Sequence, residues 1–329
     1  MTIARPVYNS IVNIIFFGSD PWFSPPVFTA LLKAGHKIAI VVTKGDALAK
    51  FKNQKSKIKT IQAKTGEDIL RFTIYDLRFT NSNPPDAIVL AAFGPPFLPA
   101  EVLNWPKYGC LNVHASLLPR WRGASPVFGA IVNGDKETGV SIMKMTEEID
   151  LGPVLGQKIT IIRSHLGVRQ GETFSGYDNR ESLTRRLGKL GGKLIVETLK
   201  KLENGQINEV KQPSKSPTSY THRLTKDSGR IDWKKTSVEI ERFIKAVTPW
   251  PGAWTEYRDE GRRTKDEGRR LKILKAHIEK ILSPRDCHAP TSVGARNDVV
   301  LVIDEVQLAG KNPISWKQFL AGHPKQKLN

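Results

Sequence analysis

Three polar side chains in the middle of the chain have the types that acyl transfer requires. Asn112 and His114 lie in the stretch Cys110–His114, where apolar and polar residues alternate as in a half-buried strand. This alternation places both side chains on one face of the strand, roughly 7 Å apart. Asp150 follows 36 residues after His114, directly before a Leu-Gly-Pro break. A histidine that transfers protons, an amide that donates to an oxyanion and a carboxylate that orients the histidine suit acyl transfer.

Each of these residues also has a plainer explanation. A single histidine in a strand is more often a hydrogen-bonded structural residue than a catalyst, and an Asp before Leu-Gly is more often a turn residue. Between them, the segment Ser116–Pro119 turns the chain, because a proline disfavours helix at the residue before it. From residue types and spacing alone, both interpretations stay open.

The elements that must position these residues alternate between strands and helices. The sequence predicts a strand over 11–17, a helix over 25–34 that ends before a glycine, and a strand over 37–43. A strand, a helix and a strand within ~30 residues form a βαβ unit, so we expect a parallel sheet covered by helices. The apolar run 87–92 predicts a central strand of that sheet. The first part of the chain is therefore predicted to be a Rossmann-like α/β domain.

A stretch rich in proline, serine and lysine divides the chain. We expect a catalytic domain over residues 1–209, a linker over 210–219 and a second domain over 220–329. In the second domain we expect Trp250 and Trp254 to pack in the core, because both flank Pro-Gly turns. One helix over 237–246 and several short strands favour a small β-barrel there; the strands are expected over 253–257, 271–277 and 299–303.

Composition and charge favour a polyanionic partner and exclude several classes of protein. The chain has 329 residues, a formal net charge of +19 and a pI near 9.9, which suits a partner such as RNA. No apolar run approaches the ~20 residues of a membrane span, so we expect no membrane association. The two cysteines, Cys110 and Cys287, form neither a disulfide framework nor a zinc spacing. We therefore expect a cytoplasmic monomer without a bound metal.

The motifs of the central region resemble those of the folate-dependent formyltransferases. The resemblance is carried by Asn112-Val-His114, by the run SLLPRWRG from Ser116 to Gly123, by Thr138–Met143 and by Asp150-Leu-Gly152. The run NVHASLLPRWRGASP is similar to the form found in the methionyl-tRNA formyltransferase family, and the similarity continues through both halves of the chain. It implies an α/β formyltransferase domain followed by an OB-like β-barrel domain that binds tRNA.

The resemblance also implies an activity and its residues. The activity is transfer of a formyl group from 10-formyltetrahydrofolate to the α-amine of initiator methionyl-tRNA, for translation initiation. Asn112 would donate to the oxyanion, His114 would transfer protons, and Asp150 would fix the imidazole tautomer. The residues that would contact the folate are Ser116, Leu117, Leu118 and Pro119, together with Phe93 and Gly94 in the loop after the third predicted strand.

A lysine-rich segment follows the strand over 37–43. Such a run is usually a solvated loop or helix face, but in the resembling family the loop at this place enters the acceptor arm of tRNA. Ala47 stands where that family has an arginine, so the expected contacts are phosphates bound by ammonium groups. The predicted tRNA-binding residues are Lys44, Lys50, Lys52, Lys55 and Lys57.

Three other functions use some of the same features. A 10-formyltetrahydrofolate hydrolase would use the same triad with water as acceptor, and a formyltransferase acting on a sugar nucleotide or another amine would share only the first domain. A non-catalytic RNA-binding protein would retain the fold without its chemistry. The basic loop and the matching C-terminal half disfavour the first two, and the intact triad disfavours the third.

Overall fold

The chain forms two compact units. The computed structural model describes residues 11–44, 58–63, 68, 84–95, 98–163, 177–214, 220–259, 269–280, 292–293, 299–323 and 326–328. The first unit comprises the described residues of Met1–Pro126, Glu137–Ile161 and Thr184–Thr221. The second comprises those of Val127–Lys136, Ile162–Leu183 and His222–Asn329. The predicted division over 210–219 stays a prediction, although the described residues 210–214 belong to the first unit.

A seven-stranded mixed sheet forms the first unit. Its strand order is β3-β2-β1-β4-β5-β6-β7, parallel from β3 to β5 and antiparallel for the last two pairs. The predicted Rossmann-like α/β class is confirmed, and the two antiparallel strands extend the parallel sheet that the sequence indicated. The strands are β1 (Asn13–Gly18), β2 (Lys37–Thr43), β3 (Lys59–Gln62), β4 (Ala87–Ala91), β5 (Cys110–His114), β6 (Glu137–Lys144) and β7 (Val154–Ile161).

The strands that are central in the sheet read as continuous apolar runs because both of their faces are covered. Every residue of β4 is buried, and so is β1 from Ile14 onward. The carboxyl ends of these parallel strands share one edge of the sheet, where ligands bind in open α/β folds. His114 is the last residue of β5, and the loops that follow β2 and β4 leave the sheet at the same edge. The helices of the first unit are α1 (Ser24–Lys33), α2 (Ala100–Leu103) and α4 (Arg180–Glu203) from Thr184 onward; α3 (Pro126–Val132) belongs to the second unit from Val127 onward.

Glycines in α4 allow this helix to pack closely on α1 and on Phe23, the residue that precedes α1. A Cβ at Gly188 would lie 2.8 Å from the carbonyl oxygen of Phe23, and one at Gly192 would lie 2.7 Å from the Cβ of Ala30. Each glycine costs a helix interior about 1 kcal/mol relative to alanine, so α4 accepts lower intrinsic stability in return for this close approach.

The second unit is built on an antiparallel sheet of order β10-β11-β9-β8-β13, with β12 paired to β11. Trp254 is buried as expected, but the same expectation for Trp250 was wrong, because its side chain is 46% exposed. The β-rich second domain is confirmed. Its elements are α5 (Ser237–Val247), β8 (Ala253–Asp259), β9 (Arg269–Lys280), β10 (Ser292–Val293), β11 (Val299–Leu308), β12 (Ile314–Ser315), α6 (Trp316–Gly322) and β13 (Gln326–Leu328).

Capping boxes fix where the two helices of this sheet domain begin. Thr236 accepts a hydrogen bond from the backbone amide of Glu239, whose carboxylate accepts one from the amide of Thr236. Ser315 and Gln318 repeat this arrangement at the start of α6. These reciprocal bonds satisfy amides that have no partner within the helix. Across the part of the chain that is described, no helix is both long enough and apolar enough to cross a membrane.

We expect Gly188→Ala to destabilise the first unit although alanine favours helix. The added methyl group would press on the backbone of Phe23, and overpacking of this kind costs about 1–3 kcal/mol. Gly322→Ala is the control, since Gly322 is a helical glycine at the end of α6 and has no atom within 4 Å of its ideal Cβ position. Thermal unfolding and hydrogen exchange in α4 measure the effect. Equal stabilisation by both substitutions would contradict the close packing of α4.

Candidate active site

The Asp150 carboxylate is the point at which the three predicted catalytic residues meet. Its Oδ1 accepts a hydrogen bond from Asn112 Nδ2 at 3.3 Å, and its Oδ2 accepts one from the backbone amide of Gly123 at 2.8 Å. His114 Nδ1 lies 3.8 Å from Asp150 Oδ2. The side chains of His114 and Asp150 are only 6% and 12% exposed, so water screens this pair weakly. The structure therefore brings together residues that are 38 positions apart in sequence.

The tautomer of His114 is set by a backbone group. Its Nε2 lies 3.0 Å from the carbonyl oxygen of Trp121. A carbonyl oxygen only accepts hydrogen bonds, so Nε2 carries the proton of the neutral ring and Nδ1 carries the lone pair. The resemblance implied that Asp150 fixes the tautomer; in the structure the Trp121 carbonyl does so. Asp150 instead faces the other ring nitrogen, Nδ1.

Asn112 has hydrogen-bonding capacity left for a substrate. It is the third residue of β5 and is half-buried, beside Met143 of β6 in the strand register. A primary amide carries two N–H donors, and one of them is used on Asp150. The second donor remains on the same side chain as a candidate for an oxygen that gains charge during acyl transfer.

The tripeptide Trp121–Gly123 connects all parts of this site. The Trp121 carbonyl binds His114, and the Gly123 amide binds Asp150. The backbone of Trp121 has φ +58° and that of Gly123 has φ +99°, both in the left-handed region. Only glycine fits at 123, because a Cβ there would lie 2.3 Å from the carbonyl oxygen of Thr221. Sequence reasoning noted this tripeptide as part of a motif but missed its backbone contacts, which no residue type reveals.

The predicted folate segment Ser116–Pro119 is fastened to β6 and β7. Ser141 Oγ donates to the carbonyl of Ser116 at 2.7 Å and accepts from the amide of Leu118 at 3.0 Å. Gln157 Nε2 donates both to the Leu118 carbonyl and to Ser141 Oγ, each at 2.8 Å. Leu117 stays half-buried and Leu118 packs with Met143 and Val154. The segment therefore has a fixed shape, and contact with folate stays a prediction.

The second predicted folate segment, Phe93–Gly94, is bound by a lysine that was predicted to contact tRNA. Lys44 Nζ donates to the carbonyls of Phe93 at 2.9 Å and Gly94 at 3.1 Å, and it also contacts the carbonyl of Pro95. The ammonium lies 4.0 Å from the centre of the Phe93 ring, which is a cation–π distance. Lys44, the residue directly after β2, thus binds the loop that follows β4. Its role with tRNA stays a prediction.

The remaining predicted tRNA-binding residues lie outside the described part of the chain: they are Lys50, Lys52, Lys55 and Lys57. Sequence reasoning also missed Gln212, which donates hydrogen bonds to the carbonyls of Asp150 and Gly152, and Arg122, which donates to Gln212. Among the described residues, no group of three or more His, Cys, Asp or Glu side chains is arranged to hold a metal ion.

Comparisons with known proteins agree with the motifs. Residues 12–199 match the family described as Formyl transferase, and residues 223–324 match the family described as Formyl transferase, C-terminal domain. A methionyl-tRNA formyltransferase of Gluconobacter oxydans (strain 621H) is 38% identical over an alignment 329 residues long, gaps included. The alignment covers 95% of this chain and 97% of that one. A methionyl-tRNA formyltransferase from Caldanaerobacter subterraneus subsp. tengcongensis is 33% identical over an alignment 330 residues long, gaps included. This alignment covers 95% of this chain and 97% of that one.

Solved structures share the fold at lower identity. HypX from Aquifex aeolicus in complex with tetrahydrofolic acid has a TM-score of 0.62 at 18% identity, covering 96% of this chain and 48% of that chain. Methionyl-tRNA formyltransferase from Clostridium thermocellum has a TM-score of 0.52 at 18% identity, covering 82% of this chain and 94% of that chain. At these identities the likeness shows the fold alone.

Cys110 lies on the same strand as the catalytic candidates but is chemically protected. Burial raises the pKa of its thiol to about 12, and the side chain has no solvent exposure. Because the thiolate is the reactive form, we expect a Cys287→Ser variant to take no label from a thiol reagent in the native state and about one label per chain after unfolding. A Cys287→Ser background isolates the Cys110 signal. Rapid native labelling with loss of activity would contradict the burial of β5.

Proposed function

This chain belongs to the formyl transferase family, and from that membership we propose that it transfers a formyl group from 10-formyltetrahydrofolate to the α-amine of initiator methionyl-tRNA. The observation that carries the proposal is the 38% identity to a methionyl-tRNA formyltransferase over nearly the whole of both chains. A match of that extent includes the second domain as well as the catalytic one. We assign the same enzyme to the cytoplasm, where tRNA is aminoacylated.

The geometry of the site supports proton transfer through His114. The nucleophile is the uncharged α-amine, which forms a bond to the formyl carbon. His114 Nδ1 accepts the proton that the amine loses, because Nε2 is already protonated against Trp121. The resulting imidazolium faces the Asp150 carboxylate, which lies 3.8 Å away in the unprotonated pair and stabilises the charge.

Asn112 supports the tetrahedral intermediate. The formyl oxygen becomes an oxyanion when the amine attacks, and we assign the second N–H of Asn112 as its donor. The carbon–N10 bond then breaks, the formyl group stays on the amine, and the proton held by His114 goes to N10 of tetrahydrofolate. Bonds and protons balance without a metal or a redox partner. Loss of an oxyanion donor of this type costs about 3 kcal/mol.

Two fixed loops support the folate part of the proposal. The segment Ser116–Pro119 follows directly after His114, and its shape is set by hydrogen bonds from Ser141 and Gln157. Phe93 and Gly94 follow β4, the neighbour of β5 in the sheet, and are held by Lys44. We propose that the pteridine lies along these two loops, which leave the carboxyl edge of adjacent parallel strands.

Substitution of the catalytic residues tests this function. We expect Asn112→Ala, His114→Ala and Asp150→Ala each to lower formylation of initiator methionyl-tRNA at least ~100-fold, since each removes one part of the proton and oxyanion machinery. Asn104→Ala is the control, because Asn104 is exposed and its amide only caps a short helix. Turnover is followed with 10-formyltetrahydrofolate as donor.

The choice of acceptor is decided in the same assay. Initiator and elongator methionyl-tRNA are compared as acceptors, and released formate is measured to detect transfer to water. Folate-dependent formate release without formylated tRNA would replace the proposal with a hydrolase. Full activity of the His114 variant would remove that residue from the mechanism.

The contacts of Lys44 generate a separate expectation. Lys44→Met removes an ammonium group from three backbone carbonyls, so the loop of Phe93 and Gly94 should lose its shape. Because a hydrogen bond to a charged group contributes about 1.5–3 kcal/mol, we expect affinity for folinic acid to fall at least about 10-fold. Lys37→Met is the control, since Lys37 is an exposed lysine at the start of the same strand, β2.

The tRNA role predicted for Lys44 has a different signature. A lysine bound to phosphate should lower tRNA affinity when it is removed and flatten the salt dependence of binding by about 0.7–0.9 log units per log unit of salt. Unchanged folinic acid binding together with that flattened slope would favour the tRNA contact over the loop contact.

A further inference from the structure

Gln212 forms hydrogen bonds to two backbone carbonyls in the loop that carries Asp150. Its Nε2 donates to the carbonyl of Asp150 at 3.0 Å and to the carbonyl of Gly152 at 2.7 Å. We propose that Gln212 is a positioning residue that holds Asp150 in its working orientation, an inference that rests on the proposed formyl transfer. The residue lies in a stretch whose composition predicted a linker, so it would be the part of that stretch that serves catalysis.

Arg122 holds Gln212 from the other side. Its Nε and one terminal nitrogen both donate to Gln212 Oε1, at 3.1 and 2.9 Å, and that terminal nitrogen also donates to the carbonyl of Pro213 at 2.9 Å. The Arg122 side chain is only 1% exposed, so its charge acts on the amide with little screening by water. A positive charge at Oε1 polarises the amide and strengthens the two N–H donors that hold the Asp150 loop.

The backbone of Asp150 needs such a hold. Its φ of +53° lies in the left-handed region, which only a few per cent of residues other than glycine occupy, aspartate more often than most. A residue kept in this conformation depends on the contacts around it. The carboxylate is fixed by Asn112 and Gly123, whereas the carbonyl is fixed by Gln212. Without Gln212, the main chain at Asp150 is free to relax, and the carboxylate moves away from His114 Nδ1.

The chain around Gln212 is itself anchored within the first unit. Val210 and Val154 exchange two backbone hydrogen bonds, at 2.8 and 2.9 Å. Thr221 donates to the carbonyl of Arg122 from its amide and from its hydroxyl, at 2.8 and 2.9 Å. The described residues on both sides of 215–219 therefore attach to β7 and to the Trp121–Gly123 tripeptide. This arrangement gives Gln212 a fixed base from which to position Asp150.

A double-mutant cycle tests the proposal. We expect Gln212→Met to lower kcat roughly 10–100-fold, by analogy with the loss when a hydrogen-bond partner of a metal ligand is removed, with KM and folinic acid affinity changed less than about two-fold. In an Asp150→Ala background the same substitution should have no further effect, because Gln212 acts through Asp150. Gln212→Glu keeps the size and the pairing with Arg122 but lacks both N–H donors, so it should fail to restore kcat.

A matched control and a second measurement separate this proposal from a structural role. Gln307→Met removes an amide that donates to the carbonyl of Lys311, far along the sequence in the second unit, and should leave kcat unchanged. Hydrogen exchange in peptides covering residues 145–153 should rise in the Gln212 variants and stay unchanged in the Gln307 variant.

The possible results lead to different conclusions. Equal losses from Gln212→Met in the wild-type and Asp150→Ala backgrounds would overturn the positioning role, and so would full activity of Gln212→Glu. Absence of formyl transfer in the wild-type enzyme would overturn the proposed function instead. In that case, unchanged hydrogen exchange at residues 145–153 would still overturn the hold on Asp150, and increased exchange would support it.

Discussion

A carboxylate that is mostly removed from water must be surrounded by donors, and the Asp150 carboxylate imposes this requirement on the rest of the site. Its 12% exposure leaves little room for water to satisfy the charge. Asn112 supplies one donor and the Gly123 amide supplies another, while His114 stands beyond hydrogen-bonding distance. His114 Nδ1 faces the same carboxylate oxygen that the Gly123 amide binds. The need to satisfy this carboxylate thus brings β5, Gly123 and Asp150 together.

The need for hydrogen-bond partners around Asp150 and His114 explains why backbone groups form part of the site. The tripeptide Trp121–Gly123 provides a carbonyl for the histidine and an amide for the carboxylate. Both contacts require left-handed backbone at its two ends, and Gly123 additionally lies against Thr221. Backbone groups hold their positions without the entropy cost of fixing long side chains. They therefore give a more rigid site than side chains alone would provide.

The fold and the candidate catalytic side chains could be predicted from the sequence because each has a local signal. Apolar runs marked β1, β2 and β4, and the alternation in Cys110–His114 marked a strand with one polar face. The antiparallel pairing of β6 and β7 had no such signal, since strand direction depends on the path of the connections. Trp250 shows another limit: an aromatic residue beside a Pro-Gly turn has no local feature that separates an exposed position from a buried one.

Gln212 shows why the supporting contacts were not accessible. Its neighbours are lysine, proline and serine, and that composition is typical of a linker. A linker and a tightly bound surface segment differ only in what lies beneath them, and here that is the Asp150 loop and Arg122. Arg122 is equally misleading, because an arginine is seldom fully buried unless it is paired. The amide oxygen that accepts its hydrogen bonds belongs to Gln212, 90 residues away in sequence. Where a site depends on contacts of that range, sequence motifs indicate the candidate reacting groups, and the geometry is needed to find what holds them.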